Sequence, residues 1–280
     1  MPKRAMVNLL LLLVVIALGL VVWLTPEKDQ AQNLAKLTNL SPNDISHIRI
    51  SNNNGPTFTL ERSKNGWWMS QPYRIAANTP RIDILLDIVA TPSHEQFPLP
   101  KDRLAEFGLD KPRATMQFNS TEMIFGGTHP YNYRRYVQIG NQVHLINDNF
   151  PHHFLAAAEA YVSHSLLPHE AKITRISTPD WSIQKVDNRW QLTPENGDIS
   201  TDALVRKIED WQTTWAAQVS RVETPGATPQ ITIALEGSQQ PMTLLLEKRD
   251  NGIRLTRADN NLSYTLPNGE LLQPPAGTVE

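Results

Sequence analysis

The stretch Asn65–Pro72 reads NGWWMSQP, and a second stretch, Asp187–Pro194, reads DNRWQLTP. Each begins with turn residues and places a tryptophan four residues before a proline, Trp68 in the first stretch and Trp190 in the second. Asn-Gly between strand-like segments is the strongest short signal for a β-hairpin. The two tryptophans are 122 residues apart. This recurrence predicts an internal duplication, with chance recurrence of a common hairpin as the alternative.

The segments that follow the two hairpins match at the same spacing. The matched pairs are Thr79 with Thr201, Ile82 with Leu204, Leu86 with Ile208, and Val89 with Trp211. Their periodicity is that of one face of an amphipathic helix. We predict one helix over Pro80–Ala90, with Thr79 as its N-cap, and a longer one from Asp202 to about Val219.

The remaining segments predict the fold class. HIRIS at His47 and ITRIS at Ile173 each begin a strand, and later segments alternate apolar and polar residues as half-buried antiparallel strands do. FLAAAEAYVSHSLL, residues 154–167, predicts a further helix that begins near Pro151. The sequence therefore predicts an α+β protein with an N-terminal transmembrane helix followed by two similar antiparallel sheet-plus-helix units. The predicted regions are a tip and anchor (1–25), a linker (26–44), the two units (45–168 and 169–266) and a poorly ordered tail (267–280).

Residues 5–24, AMVNLLLLLVVIALGLVVWL, form the longest apolar run. Twenty helical residues span roughly 30 Å, the thickness of the hydrocarbon core of a bilayer. Lys3 and Arg4 before the run and Trp23 near its end predict a cytoplasmic N-terminus. We therefore expect a single-pass protein of a bacterial inner membrane whose main region is periplasmic and whose residues 5–24 contact lipid. The alternative is a signal peptide that is cleaved.

Composition narrows the classes of function. The chain has no cysteine, which excludes disulfides, thiol nucleophiles, cysteine-bound zinc and attachment of a lipid to cysteine. The formal net charge of −2 argues against nucleic acid as the main partner.

The stretch LAEFGLDKPRATMQF, residues 104–118, looks dense enough in charge to be a site. Gly108 is the residue best able to end a helix in the left-handed conformation, and Leu109 then falls where a partner for Leu104 is expected. Pro112 prevents the helix from resuming before the next strand. We therefore interpret the stretch as a helix stop and strand start, and its charged side chains as turn residues: Asp110, Lys111 and Arg113.

Several of these motifs together resemble one known family. The hairpin tryptophan before a proline is followed by FGLDKPRAT from Phe107, IFGG from Ile124 and RRYVQIG from Arg134. This combination resembles the bacterial family catalogued as domain of unknown function 4340, clearly over Ile45–Asn147 and weakly in the second half. The resemblance implies a membrane-anchored envelope protein, in some members associated with ABC-type transport components. It implies no catalytic residue.

Histidines and acidic residues do not form a recognisable active site. The chain has eight histidines, but HEQFP at His94 and HEAKI at His169 lack the second histidine four residues later that a zinc-binding helix needs. Nucleophile-elbow, phosphate-loop and dinucleotide-binding motifs are absent from the sequence. We therefore predict no catalytic residue, no cofactor and no metal site. The alternative is a site assembled from distant residues, as in an envelope hydrolase or a ligand-binding protein.

Aromatic and basic residues are the best candidates for recognition. Trp67 and Trp68 alternate along a strand, so one must face outward. The repeat pairs Trp68 with Trp190 in the core, which leaves Trp67 as a contact residue. The other predicted contact residues follow a predicted strand and are Tyr131, Tyr133, Arg134 and Arg135; a loop with strand-edge tyrosines is the alternative. The sequence thus favours an accessory or scaffold protein of an envelope or ABC-type transport complex, with a protein partner and without an enzymatic role.

Overall fold

The protein is described from a computed structural model, over residues 11–20, 34–168, 170–195, 199–223 and 229–276. Residues 11–20 are helical with exposed side chains, and the rest of the predicted anchor lies outside the described residues. Over the described ranges, no helix combines the length and the apolar character that crossing a membrane requires.

The first unit is a nine-stranded antiparallel sheet. Its strands are β1 (His47–Asn52), β2 (Phe58–Ser63), β3 (Gly66–Gln71), β4 (Ile75–Ala76), β5 (Glu95–Pro98), β6 (Ala114–Phe118), β7 (Thr121–Thr128), β8 (Arg135–Ile139) and β9 (Gln142–Ile146). They lie in the order β4-β3-β2-β1-β6-β7-β8-β9-β5. Helix α1 (Thr79–Ile88) connects β4 to β5, and the single turn α2 (Pro151–Phe154) follows β9.

The second unit is an eight-stranded antiparallel sheet. Its elements are β10 (Ile173–Ser177), β11 (Ser182–Val186), β12 (Arg189–Thr193), α3 (Thr201–Gln212), β13 (Gln218–Arg221), β14 (Gln230–Leu235), β15 (Met242–Arg249), β16 (Gly252–Arg257) and β17 (Leu262–Leu266). They lie in the order β12-β11-β10-β14-β15-β16-β17-β13. Apart from the two-residue β4, this is the topology of the first sheet, because in each unit the strand after the helix returns to the far edge. The prediction of two similar antiparallel sheet-plus-helix units is confirmed.

The two helices bury the predicted faces but begin and end differently. The apolar members of the matched pairs are all buried, while Thr79 and Thr201 are exposed; the buried residues are Ile82, Leu86, Val89, Leu204, Ile208 and Trp211. The caps are Asn78, whose side chain accepts from Arg81 N, and Ser200, whose hydroxyl accepts from Ala203 N. The prediction that Thr79 is the N-cap was therefore wrong by one residue. Helix α3 ends at Gln212 and not near Val219, because residues 218–221 pair with β17 as β13.

The predicted helix over residues 154–167 does not form. After α2 the chain makes a 3-10 turn at Ala158–Tyr161 and then forms isolated bridges at Val162 and Ser165. Tyr161 O accepts from Asn78 N at 2.8 Å, and Ser163 N donates to Ala76 O at 2.9 Å. Edge strand β4 thus gains hydrogen-bond partners in this segment, and that pairing overrides the helix propensity of the alanine run.

The same segment continues into contact with the second unit. Leu166 N donates to Thr214 O at 3.1 Å, and Ala216 N donates to His164 O at 2.9 Å. We call residues 161–166 the seam, because they hydrogen-bond to the edge of the first sheet and to the chain that leads into β13. One contiguous hydrophobic core contains residues of both sheets and of the seam. The two units therefore share a core.

The assignment of the paired tryptophans was wrong. Trp67 is buried, with 5% of its surface exposed, whereas Trp68 is 40% exposed. The β2–β3 register shifts by one residue, because Thr59 pairs with Gln71 and Leu60 with Met69. Ser70 is the extra residue, a β-bulge, and a bulge exchanges the faces of the residues on one side of it.

The strand β12 has no such shift, so the two tryptophans that correspond are Trp67 and Trp190. Arg62 lies over the Trp67 ring at 4.9 Å, and Lys185 lies over the Trp190 ring at 5.9 Å. These cations are the cross-strand partners of the two tryptophans. The repeat is therefore 123 residues long at the tryptophans and 122 at Pro72 and Pro194, both of which follow cis peptide bonds.

The predicted stop at Gly108 is confirmed. A 3-10 turn at Leu104–Phe107 ends at Gly108, which has φ 64°, and Leu109 N donates to Leu104 O at 3.0 Å. Leu109, Leu104 and Phe107 pack in a second apolar cluster with Tyr136, whose ring lies edge-on to Phe107 at 5.0 Å. After Pro112, the strand β6 begins at Ala114. The helix stop and the strand start thus lie where the sequence indicated, and Asp110, Lys111 and Arg113 are exposed between them.

The predicted linker and tail are packed in their described parts. Leu37 is buried, and its N–H donates to Thr91 O at 2.8 Å. Leu271 is buried in the core, and Trp181 Nε1 donates to Leu272 O at 2.8 Å. These packed residues lie in the part of the predicted tail that the structure describes, 267–276, while residues 277–280 lie outside the described range.

Candidate interaction surfaces

The structure separates the predicted contact residues. Tyr131 and Tyr133 lie in the loop between β7 and β8, with 88% and 75% of their surfaces exposed. Arg134 is half-buried at the end of this loop. Arg135 is buried, and Trp67 exposes only 5% of its surface, where it lines a cleft together with Asn65 and Trp215. Only the loop members of the predicted set are therefore brought together at the surface.

Hydrogen bonds hold the backbone of this loop, residues 129–134, which we call the tyrosine loop. His129 N donates to Arg134 O at 2.7 Å, and Tyr133 N donates to His129 O at 3.1 Å. The His129 ring is also a cap, because its Nδ1 accepts from Tyr131 N at 3.2 Å. Tyr133 adopts φ 57°. The two exposed tyrosines thus stand on a fixed backbone, which lowers the entropy lost when they bind.

Arg135 belongs to the fold and not to the loop surface. Its Nε and Nη2 each donate to an Asp148 carboxylate oxygen at 2.6 Å, and its Nη1 donates to Gly126 O at 2.6 Å. The guanidinium also lies over the Phe154 ring at 5.4 Å. A buried charge requires such a complete set of partners. Alternation along β8 was the available signal, because Arg135 shares a face with the core residue Val137.

Arg134 remains close to the surface. Its Nη1 lies 3.7 Å from Glu95 Oε1, and both side chains are partly exposed. Exposed ion pairs of this length contribute little to stability. The guanidinium can therefore exchange this contact for an anionic group at the surface.

The sequence reasoning missed an exposed tryptophan. Trp215 is 61% exposed and stacks on His164 of the seam, with ring centroids 5.7 Å apart. The His164 ring is fixed by a hydrogen bond of 2.8 Å between Nδ1 and Ala216 O. Trp215 follows Trp211 by four residues, so the predicted longer helix would have buried both on one face. Because α3 ends at Gln212, Trp215 is placed on the surface.

Two concave surfaces meet at Trp215. The first is a cleft of about 500 Å³ whose lining comes from both units and the seam, including Asn65, Ala77, Thr79, Ser163, Leu167 and Trp215. The second is a groove of about 890 Å³ between α3 and the C-terminal segment, lined by Arg206, Asp210, Thr214, Asn268 and Pro274. We call the cleft, the groove and the indole between them the Trp215 surface. It joins an apolar ring to charged and amide side chains.

His152 and His153 have ring centroids 4.1 Å apart, but neither belongs to a larger cluster of possible metal ligands among the described residues. Over those residues, no group of three or more His, Asp or Glu side chains is arranged to hold a metal ion. His144 is buried with its Nδ1 3.0 Å from Ser93 Oγ, and burial lowers the pKa of its imidazole. His153 is also buried, and burial together with the neighbouring His152 and Arg81 lowers its pKa.

Comparison with known families gives one match. The family described as Domain of unknown function (DUF4340) matches residues 67–224, which begin at Trp67 and contain the tyrosine loop, the seam and Trp215. The match starts later than the resemblance predicted from Ile45–Asn147 and reaches further into the second unit. Neither the curated proteins nor the solved structures contain a match to this chain.

Proposed function

This chain belongs to the DUF4340 family, whose model covers more than half of the 280 residues, and from that premise we propose an accessory or scaffold role in a bacterial envelope or ABC-type transport complex. Residues 5–24 anchor the protein in the inner membrane, and the two α+β units, products of an internal duplication, lie in the periplasm. A protein partner binds at the Trp215 surface.

The helical residues 11–20 support the anchor. Their sequence is LLLVVIALGL, and all of their side chains are exposed. A helix that is apolar on every face is typical of a membrane span, because such a surface is unfavourable in water. The run of apolar residues extends to both sides of this helix, over residues 5–24, and reaches the length of a span.

The exposure of Trp215 is the observation that carries the proposed partner binding. Its indole lies where a cleft and a groove meet, and both units contribute to that surface. Tryptophan is enriched among the residues that dominate the free energy of protein association, since it buries a large apolar area and still donates a hydrogen bond. The hydrogen-bonded seam holds the surface in a fixed shape, which favours binding of a partner without rearrangement.

Site-specific photocrosslinking tests this proposal. A photoreactive amino acid placed at position 215 of the full-length protein in native membranes should capture one defined protein. Trp215→Ala should lower the affinity for that protein by about tenfold or more, as loss of a central tryptophan does. The melting temperature should stay the same, because Trp215 is largely exposed.

Trp68→Ala is the matched control, since Trp68 is also exposed and lies outside the Trp215 surface. It should leave the affinity unchanged. Equal affinities of the Trp215→Ala variant and the wild type, or equal losses in both variants, would contradict a docking role for this surface.

A further inference from the structure

The segment that begins at residue 34 joins the first unit at one end of its sheet. Ser93 N donates to Ala35 O at 2.8 Å, and Lys36 forms an isolated antiparallel bridge with Pro92. Ser93 lies two residues before β5, the edge strand of the sheet. The chain that arrives from the proposed anchor is therefore fixed beside the beginning of β5.

The tyrosine loop lies at the same end. Strand β5 is antiparallel to β9, and β9 is antiparallel to β8, so β5 and β8 begin at one end of the sheet. The ion pair of Glu95 with Arg134 joins these two beginnings across β9. Two strand spacings amount to about 10 Å. The loop thus stands next to the point where the anchored chain joins the fold.

The distance to the bilayer is limited by the length of the chain. Leu24 is the last residue of the proposed span, and Ala35 follows it by eleven residues. An extended chain covers at most about 3.5 Å per residue, so this end of the sheet lies within about 40 Å of the bilayer. The seam pairs with β4, which is the opposite edge in the strand order. The Trp215 surface is therefore built at the other edge of the first sheet.

We infer that the tyrosine loop contacts the lipid headgroups of the membrane that holds the anchor. This inference rests on the proposed anchor. Tyrosine rings with a polar hydroxyl are enriched where membrane and water meet, because the ring enters the apolar side while the hydroxyl stays hydrated. Tyr131 and Tyr133 expose their rings on a fixed backbone, and Arg134 beside them can meet a lipid phosphate. The contact orients the first unit on the bilayer.

Fluorescence from single labelled cysteines tests the inference. The natural chain has no cysteine, so Tyr131→Cys, Tyr133→Cys and Glu122→Cys each carry one label. Glu122 is the matched control, because it is exposed near the start of β7, at the opposite end of the sheet. The full-length variants are labelled with a polarity-sensitive dye. They are reconstituted into vesicles of phosphatidylethanolamine and phosphatidylglycerol, with or without lipids that carry a spin label near the headgroup.

The dye at positions 131 and 133 should emit at shorter wavelength than in water, and its intensity should fall when spin-labelled lipid is present. The dye at position 122 should emit as it does in water, with or without spin-labelled lipid. Water-like emission at all three positions, in protein that floats with the vesicles, overturns the lipid contact and leaves the anchor standing. Protein that does not float with the vesicles overturns the anchor and the contact together. Addition of the protein captured by the crosslinker at position 215 should change none of the three signals. A blue shift at position 131 that appears only with that protein assigns the loop to protein binding and overturns the inference.

Discussion

Gly108 and Gly126 allow two backbone segments of the first unit to lie in direct contact. A Cβ on Gly108 would lie 2.8 Å from Gly127 N, and a Cβ on Gly126 would overlap the carbonyl oxygen of Phe107. The FGLD turn and the FGG end of β7, two of the motifs that carry the family resemblance, are therefore in direct backbone contact. The packing of Phe107 on Tyr136 depends on this close approach.

Replacement of Gly108 by alanine should destabilise the protein for two reasons. The left-handed backbone costs an L-residue about 1 kcal/mol, and the clash with Gly127 N adds about 1 kcal/mol or more. Gly140→Ala is the matched control, because Gly140 has φ 55° but nothing within 4 Å of the added Cβ. The Gly140→Ala change should cost only the energy of placing an L-residue in the left-handed conformation, about 1 kcal/mol. Equal changes in the free energy of unfolding, measured with denaturant, would show that the close approach does not matter.

Local signals predicted some residues and failed for others. Gly108 could be identified because a helix stop depends on neighbours within five residues. The exchange of Trp67 and Trp68 could not be, because the bulge at Ser70 is defined only against the partner strand β2. Arg135 was misassigned because its acceptor, Asp148, lies in a segment that the strand pattern does not reach.

At the scale of elements, the 3-10 turn Ala158–Tyr161 packs against several other elements of the first unit. Tyr161 is fully buried, its ring lies 5.2 Å from that of Phe58, and its hydroxyl donates to His153 O at 2.8 Å. Arg81 lies over the same ring. This tyrosine of the seam thus joins β2, α1 and α2. The alanines that suggested a helix are the small residues that allow this crowded crossing.

The buried tyrosines should make the protein sensitive to alkali. Burial raises the pKa of Tyr161 to about 12, and that of Tyr264 in β17 also to about 12. Unfolded tyrosine loses its proton near pH 10, so above this pH the unfolded state binds fewer protons than the folded state. The contribution of these neutral tyrosines to the free energy of unfolding is fully present below pH 10. It should fall by about 2 to 3 kcal/mol per tyrosine as the pH approaches 12.

Thermal unfolding between pH 8 and 12 measures this loss. Tyr161→Phe removes one titrating group and should flatten the decline, at a cost of about 1 kcal/mol for the lost hydrogen bond at neutral pH. Tyr131→Phe changes an exposed tyrosine and should follow the wild type. An equally steep decline in the Tyr161→Phe variant would refute the assignment to this side chain.

At the scale of the whole molecule, the continuous core and the seam join two sheets of one topology. The repeat predicted two similar antiparallel sheet-plus-helix units, since hairpins, helix faces and alternating strands are encoded within short windows, but it did not predict the strand order. The seam was not predicted, because its hydrogen bonds connect residues such as Asn78 and Tyr161 that are remote in sequence. Such hydrogen bonds depend on where the two sheet edges lie in the folded protein, which short sequence windows do not encode.

The shared core predicts that both units unfold together. Leu166 of the seam is buried in that core, and Leu166→Ala should cost about 2 to 5 kcal/mol and lower one common transition. Ile84→Ala removes an exposed side chain of α1 and should change the transition little. Hydrogen exchange of β1 and β15 should report the same loss of protection. Two transitions in calorimetry, with only one shifted, would be the contrary result.

The bulge at Ser70 also gives a rule for comparing sequences that carry this hairpin. The tryptophan that packs on the core precedes the proline by five residues where the strand is bulged, as from the buried Trp67 to Pro72, and by four where it is regular, as from the half-buried Trp190 to Pro194. Insertion of one residue between them was absorbed without turning the tryptophan out of the core. In an alignment the gap therefore belongs between tryptophan and proline, and a spacing of five predicts a bulge in any relative.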